Sequence, residues 1–496
     1  MKLSFINKIF FTNTFYGFLK QGLTGIISIL LLPFFIYRVG DIVYGEYLLL
    51  QLFTIHGIFS YADFGITGSI VRYLSKYHAS EDYKNFKYIF SSYFYLFALI
   101  GFLFSIFIYF NTDTIAHIFF KNSENIVDVE YSLIIVSAML LFNIPSLVIK
   151  SFFMSIQKMW IVKIWEILYA IFFAIGAVYL LLYNFSFYRI FLFDLFLSLF
   201  LVILFSIWGY LSYKKYFSLS IFYFNYNSIK NSSEFSLYMF INKFIGLVMN
   251  KSPQLVIGAF FTANYLAYYT IFTKFPFLVK QIMGTLNSAV LPISVYLKEK
   301  NKSNEIVGFL RFGTMISIML NFPIAIYFIL YSDQILKLWV GEEYVFLSSA
   351  LSIMMIWTAI NMSHSFFVSM YNHINQLKII LPVSLFSLSI FVIGLLFSVI
   401  NEDIFYIGLG FLFSALFSSI ANILLLNRTF NIRYTSYIKF ILRYYFLSSL
   451  IVFLFYSFFL LLNINVNLTT LIGSLLFIIL ISCALISRQR NIISSF

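Results

Sequence analysis

Residues 14–37 read TFYGFLKQGLTGIISILLLPFFIY, a run of 24 residues with one charge, Lys20. A helix rises about 1.5 Å per residue, so this run covers the ~30 Å of a bilayer's hydrocarbon with length to spare. Thirteen more runs of this kind follow, at 43–69, 86–110, 130–150, 160–183, 187–212, 236–262, 264–292, 308–331, 345–370, 378–400, 404–426, 440–463 and 465–487. Backbone amides find no water partner inside lipid, so the spans must be helices or a closed barrel. The runs are too long and too evenly apolar for alternating barrel strands. The sequence therefore predicts an all-α polytopic membrane protein of about 14 transmembrane helices.

The short connections alternate in charge. With the N-terminus placed inside, 23 lysines and arginines fall in the inside connections and only Arg38, Lys121, Arg189 and Lys337 in the outside ones. The outside connections hold acids instead, among them Asp113, Glu124, Asp128, Glu342, Glu343, Glu402 and Asp403. Basic residues stay on the cytoplasmic side, so both termini are expected in the cytoplasm.

At 61% hydrophobic and 10% charged, the chain of 496 residues has no room for a substantial soluble domain. The net charge of +13 belongs mostly to the inside loops, where it sets topology, and nucleic acid is not expected as a partner. The single Cys483 rules out an intrachain disulfide and a cysteine metal cluster. No short cleavable signal with an A-x-A site precedes the first span, which is expected to serve as its own targeting signal. The longest connections, about 111–129 outside and 213–235 inside, are too short for a catalytic lobe.

An internal repeat organises the spans. Tyr44 and Tyr47 after the first span have counterparts in Tyr265 and Tyr268 after the seventh, an offset of 221, and Lys20 and Lys243 fall within two residues of that offset. The predicted domains are a six-helix lobe over 1–213, a cytoplasmic linker over 214–235, a second six-helix lobe over 236–430, and two further helices with a tail over 431–496. Parallel halves of this kind place a substrate path between them.

Ionisable groups in hydrocarbon cost about 2.5–3.5 kcal/mol each at a helix centre on insertion scales, so they tend to face a cavity or a partner. The spans hold Lys20, Asp63, Glu166, Asp194, Lys243, Lys251, Lys274 and Lys280, a surplus of cations that suits an anionic visitor. Helical spacing puts Lys20, Thr24 and Ser28 on one face of the first span and His56, Ser60, Asp63 and Thr67 on one face of the second. Lys243, Asn250, Lys251 and Gln254 line the seventh span; Thr270, Lys274, Gln281, Thr285 and Ser288 line the eighth. Lys251 and Lys274, near mid-span, are the expected central headgroup contacts, with Lys20, Lys243 and Lys280 as the cytoplasmic approach. Thr24, Ser28, Asp63, Asn250 and Gln281 are the expected polar lining. The plainer alternatives are that Lys20 and Lys243 snorkel to the interface, and that Asp63 and Glu166 neutralise neighbouring lysines.

Catalytic signatures are missing. There is no G-x-x-x-x-G-K-[ST] loop, and Asp63-Phe64-Gly65 spells the kinase triplet without the other kinase elements. The five histidines form no H-x-x-x-H pair, so neither a metal nor another cofactor is expected. Asn463, Asn465 and Asn467 read as a hydrated turn.

The stretch Gly17 to Leu50, with Leu32-Pro33 and Gly40-x-x-x-Tyr44-Gly45-x-Tyr47, resembles the opening of the polysaccharide-transporter branch of the flippase superfamily. That superfamily also contains MATE exporters and the lipid II flippase MurJ. Asp63-x-Gly65 followed by Arg72, and Tyr268 with Leu291-Pro292, resemble further patterns of that branch. The resemblance implies a Wzx-type flippase of the bacterial inner membrane. It would carry undecaprenyl-pyrophosphate-linked oligosaccharide from the inner to the outer leaflet by alternating access, with membrane lipids and other polysaccharide assembly proteins as partners. Many members carry an acid in mid-span seven where this chain reads Lys251-Ser252-Pro253-Gln254, so no cation site is carried over. A membrane polymerase or ligase, and a MATE-like multidrug or cation antiporter, are the rival readings.

Overall fold

The computed structural model describes residues 2–61, 63, 65–121, 123, 125–217, 236–288, 303–373, 377–430, 433–461 and 467–488. Phe64, Glu124, residues 218–235 of the predicted linker, Leu291-Pro292, Asn463 and Asn465, which figured in the sequence reading, lie outside them. The described residues contain sixteen α-helices, and eleven stretches are long and apolar enough to cross a membrane. The molecule is an all-helical polytopic membrane protein. Two compact units divide it, Met1–Ala267 and Tyr268–Phe496.

In the first unit, α1 runs over Lys2–Leu52 and takes in the first predicted span and the start of the second. A break at Gly40 separates its two arms, with φ 78° and ψ 166°, a conformation open to glycine and costing other residues about 1–3 kcal/mol. Gly45 answers to a different need: a Cβ there would overlap the backbone of Ala263, so the chain passes too close for any side chain. These two positions give the Gly40-x-x-x-Tyr44-Gly45 pattern its physical meaning.

The second span departs from the continuous helix expected over 43–69. Helix stops at Leu52, a 3-10 turn covers Ile58–Tyr61, and α2 begins only at Ile66, ending at Ala79. Glycines impose the interruption. A Cβ on Gly57 would sit 2.1 Å from the Leu52 carbonyl oxygen, and Gly65 has φ 76°. The expected stripe of His56, Ser60, Asp63 and Thr67 is therefore not one helix face.

The remaining helices of this unit are α3 (Tyr83–Phe110), α4 (Thr112–Phe119), α5 (Ile126–Ser155), α6 (Met159–Leu182), α7 (Tyr188–Ser212) and α8 (Ser236–Phe260). α5 is the core element, packed by α2, α3 and α7 and buried from Val129 to Ser155 along most of its inner face. α1 packs along α6. At one end, Phe86, Phe90, Phe152, Phe153 and Phe217 interlock through edge-to-face and tilted contacts. At the other end, Phe35 stacks on Tyr47, with Tyr44 tilted against Phe35 and Phe191 against Tyr47.

The second unit contains α9 (Ala263–Ser288, whose first residues belong to the first unit), α10 (Ser303–Leu330), α11 (Ser332–Trp339), α12 (Ser348–His373), α13 (Leu377–Ile400), α14 (Phe405–Phe430), α15 (Tyr434–Leu461) and α16 (Leu468–Arg488). α10 and α12 form its centre. α13 and α14 meet at Gly394 and Gly410, where a Cβ on Gly394 would lie 2.4 Å from the Gly410 Cα. Close backbone approach at small residues is the usual way helices associate in lipid, where apolar burial drives nothing.

α8 and α9 have spanning length but fall outside the eleven apolar stretches. Each carries two lysines, with Asn250, Ser252 and Gln254 on α8 and Gln281 and Asn287 on α9. The polar residues expected at a functional site are what lower their hydropathy.

One order of elements occurs in both units. A 28-residue helix, a single joint residue and an eight-residue amphipathic helix appear as α3, Asn111, α4 and again as α10, Tyr331, α11. Asp113, Ile115 and His117 align with Asp333, Ile335 and Lys337 at an offset of 220, one from the offset read in the tyrosines.

Candidate functional site

Eight of the eleven expected site residues fall in the first unit and three in the second. In the first unit Lys243 pairs with Asp63, whose carboxylate also accepts the Gly65 N–H and the Thr67 hydroxyl. Asp63 is 2% exposed, so the pair satisfies a charge that lipid would otherwise strand. The loop that interrupts the second span thus exists around a carboxylate cage. Asn250 hydrogen-bonds to the Tyr61 hydroxyl and donates to the Gly246 carbonyl. Thr24 and Ser28 donate to the carbonyls of Lys20 and Gly25 in their own helix, which satisfies their hydroxyls without another element. Gln254 is half-buried on α8.

A second charged group forms around Glu166 on α6. Its Oε2 lies 3.1 Å from Lys163 Nζ and 3.6 Å from Lys20 Nζ. Lys150, near the C-terminal end of α5, lies over the Trp165 ring at 5.2 Å and within electrostatic reach of the same three groups. Lys251 donates to the carbonyl of His56 at 3.0 Å, and His56 is in turn within reach of Lys20, Lys150, Lys251 and Glu166. Three lysines, Lys20, Lys150 and Lys163, thus gather about one carboxylate, so a positive excess remains after pairing. At an effective dielectric of about 20, a unit anion 4 Å from one ammonium gains roughly 4 kcal/mol before desolvation is counted.

The sequence reading named Lys20, Glu166 and Lys251 among the intramembrane charges but missed Lys150 and Lys163. Lys150 and Lys163 were counted with the inside loops because they stand at span ends; both lie within helices. The spacing Lys163-x-x-Glu166-x-x-Tyr169 was the available signal, since residues three apart share a helix face. Deeper in the unit, Asp194 accepts the Tyr169 hydroxyl at 2.7 Å and Gln51 hydrogen-bonds to Tyr47. Glu46, absent from the expected intramembrane charges, is also buried, at 4% exposure.

In the second unit Lys274 is half-buried on α9 and Gln281 is exposed. Lys280 Nζ lies 5.1 Å from the Trp357 ring and 5.8 Å from the Phe277 ring, cation–π geometry that holds an ammonium in apolar surroundings. The described residues contain no cluster of three or more histidine, cysteine or acidic groups able to hold a metal.

The fold has relatives among solved structures. It resembles the lipid II flippase MurJ in an inward closed conformation with a TM-score of 0.68 and 14% identity, covering 97% of this chain and 98% of that one. It also resembles an inward-facing multidrug resistance MATE family transporter of the MOP superfamily, TM-score 0.64 and 13% identity, covering 84% and 94%. A Vibrio cholerae MATE transporter gives 0.62 and 12%, covering 86% and 98%. No curated protein sequence matches the chain. Residues 10–298 match the family model described as polysaccharide biosynthesis protein, more than half of the chain. The chain belongs to the polysaccharide biosynthesis protein family.

Proposed function

We propose that this protein is a flippase that moves an undecaprenyl-pyrophosphate-linked oligosaccharide from the inner to the outer leaflet of a bacterial inner membrane by alternating access. The observation that carries the reading is the lysine excess of the first unit, where Lys20, Lys150 and Lys163 gather about Glu166 and Lys251 is held at the His56 carbonyl. A pyrophosphate headgroup is too polar to cross lipid unaided, and ammonium groups in low dielectric hold it electrostatically. The glycan then occupies hydrated space while the polyprenyl chain stays in lipid.

In this reading the chain crosses the membrane fourteen times with both termini inside. The two arms of α1 on either side of Gly40 count as separate passes, and α8 and α9 add two more to the eleven apolar stretches. The working halves are 1–213 and 236–430, joined by 214–235 and followed by the two added helices of 431–496. Lys251 and Lys274 are the central headgroup contacts, with Lys20, Lys243 and Lys280 on the approach and Gln254 beside them. Lys243, paired with Asp63, serves the approach less by free charge than by fixing the loop.

The test is a double substitution, Lys251→Ala with Lys274→Ala, in the producing cell and in liposomes holding a labelled lipid-linked saccharide. Surface glycan and translocation should fall at least tenfold at unchanged protein abundance. Normal glycan in that double variant would sink the reading.

A further inference from the structure

The second unit carries its charges differently from the first. α10 and α15 together hold one acid, Glu305, in the first turn of α10, and α12 and α16, which pack on α10, add none. Against it stand Arg311 in the third turn of α10 and, at the start of α15, Arg433, Lys439 and Arg443. Glu305 lies six residues before Arg311 and so on a different face of the helix. Among the described residues none of these four cations has an ion pair or a side-chain hydrogen bond.

α10 and α15 run parallel, with Thr314 beside Tyr437, Phe322 beside Tyr445 and Tyr331 beside Tyr456. Both therefore start at the same end, the one that the charge alternation predicts to be inside. Arg311 precedes Thr314 by one turn on the same face, and its charge is within electrostatic reach of Tyr437. Arg433 precedes Tyr437 by one turn, and the Tyr437 N–H donates to its carbonyl at 3.2 Å. Two guanidiniums on adjoining helices thus stand a turn from one Thr314–Tyr437 contact, with no carboxylate on that face of either helix. Arg311 is half-buried, and its Nε is sealed from solvent without an acceptor. A snorkelling arginine keeps its donors wet; a buried N–H with no acceptor costs free energy until one arrives.

We propose that this end of the α10–α15 seam holds the phosphodiester of a resident anionic phospholipid. The planar fork of a guanidinium matches two phosphate oxygens, and the N-terminal ends of both helices add positive potential. A lipid rather than a dissolved phosphate follows from α15 itself. It presents Ile438, Leu442, Phe446 and Leu450 at steps of four, all exposed, with Lys439 and Arg443 next to the first two. An apolar stripe that ends among uncompensated cations fits an acyl chain capped by a phosphate. Bound there, the headgroup supplies the acceptor that Arg311 Nε lacks and bridges α15 to α10 beside their hydroxyl contact. The lysine group assigned to the pyrophosphate lies in the other unit, so this site stands apart from the flippase reading.

Native mass spectra of the full chain, released from nanodiscs of equal parts phosphatidylglycerol and phosphatidylcholine, read the occupant directly. Wild type should retain phosphatidylglycerol in preference to phosphatidylcholine. Arg311→Gln should retain roughly tenfold less, the loss expected when a charge-assisted hydrogen bond goes. Lys84→Gln, which removes an exposed cation of the first unit, should retain as much as wild type. Equal losses in the two variants would mean a general attraction to anionic lipid and overturn the site, as would undiminished retention in Arg311→Gln. Should Arg311→Gln fail to fold, Arg433→Gln, at an exposed position, carries the test with the same expectation and the same overturning result. In detergent, Tm should rise on adding phosphatidylglycerol and stay unchanged on adding glycerol phosphate; an equal rise with both overturns a lipid as the occupant. Displacement of the bound phosphatidylglycerol by undecaprenyl pyrophosphate at equal concentration would give the site to the transported lipid and overturn the resident one. Lipid retention and surface glycan are separate readouts, so this proposal and the flippase reading can each fail alone.

Discussion

Around Glu166 the electrostatics are lopsided: one carboxylate serves Lys20 and Lys163 directly and Lys150 at longer range. Removing its charge leaves ammonium groups facing each other in a half-buried site with nothing to offset their desolvation. Glu166→Gln should therefore destabilise the first unit by about 1–3 kcal/mol, the usual range when a charged hydrogen-bond partner is lost. Thermal unfolding of the detergent-purified protein would read this as a lower Tm, and restoring neutrality with Lys20→Met in the same chain should recover part of it. This scale is also where the sequence was hardest to read. Spacing gave Lys20 and Lys251, but Lys150 and Lys163 lie at span ends, where a lysine inside a helix and a lysine in a loop look alike. Whether a charge is paired can depend on a side chain far along the sequence, as with Lys243 and Asp63, 180 residues apart, and no local pattern encodes that.

Helices were legible where hydrophobic length alone defines them. The predicted spans from 86–110 to 187–212 match α3, α5, α6 and α7 to within about five residues at each end. The second span was not legible, because Phe53 to Gly65 is as apolar as a helix while Gly57 and Gly65 fold it into turns. Glycine has the opposite role between α13 and α14, where it brings two straight helices together. Gly394→Leu should wedge them apart and cost about 1–3 kcal/mol or more by overpacking. Gly22→Leu, at a position with nothing within 4 Å of the added Cβ, should leave stability nearly unchanged. Size-exclusion profiles after heating would distinguish the two, and equal heat tolerance would show that the Gly394–Gly410 approach contributes nothing.

Across the whole molecule, the alternation of basic and acidic connections predicts an orientation that can be measured directly. In a Cys483→Ser background, single cysteines at Lys121 and Glu342 should react with a membrane-impermeant thiol reagent added to intact cells. One at Lys84 should react only after the membrane is opened. All three positions are exposed. The reverse pattern would invert the topology and with it the direction in which the lysine group first meets its ligand. The repeat expected from a handful of tyrosines at an offset of 221 stands beside the paired eight-residue helices α4 and α11, whose residues align at an offset of 220.

The last two helices are tied to α10 by hydroxyl groups. Thr314 shares a hydrogen bond with Tyr437 on α15, and Tyr327 reaches Ser474 and the Leu471 carbonyl on α16. A chain cut after residue 430 would leave two polar side chains on α10 bare to acyl tails. The C-terminal pair is therefore no detachable appendage: any shortened homologue or engineered truncation would need apolar residues at positions 314 and 327 before it could dispense with them.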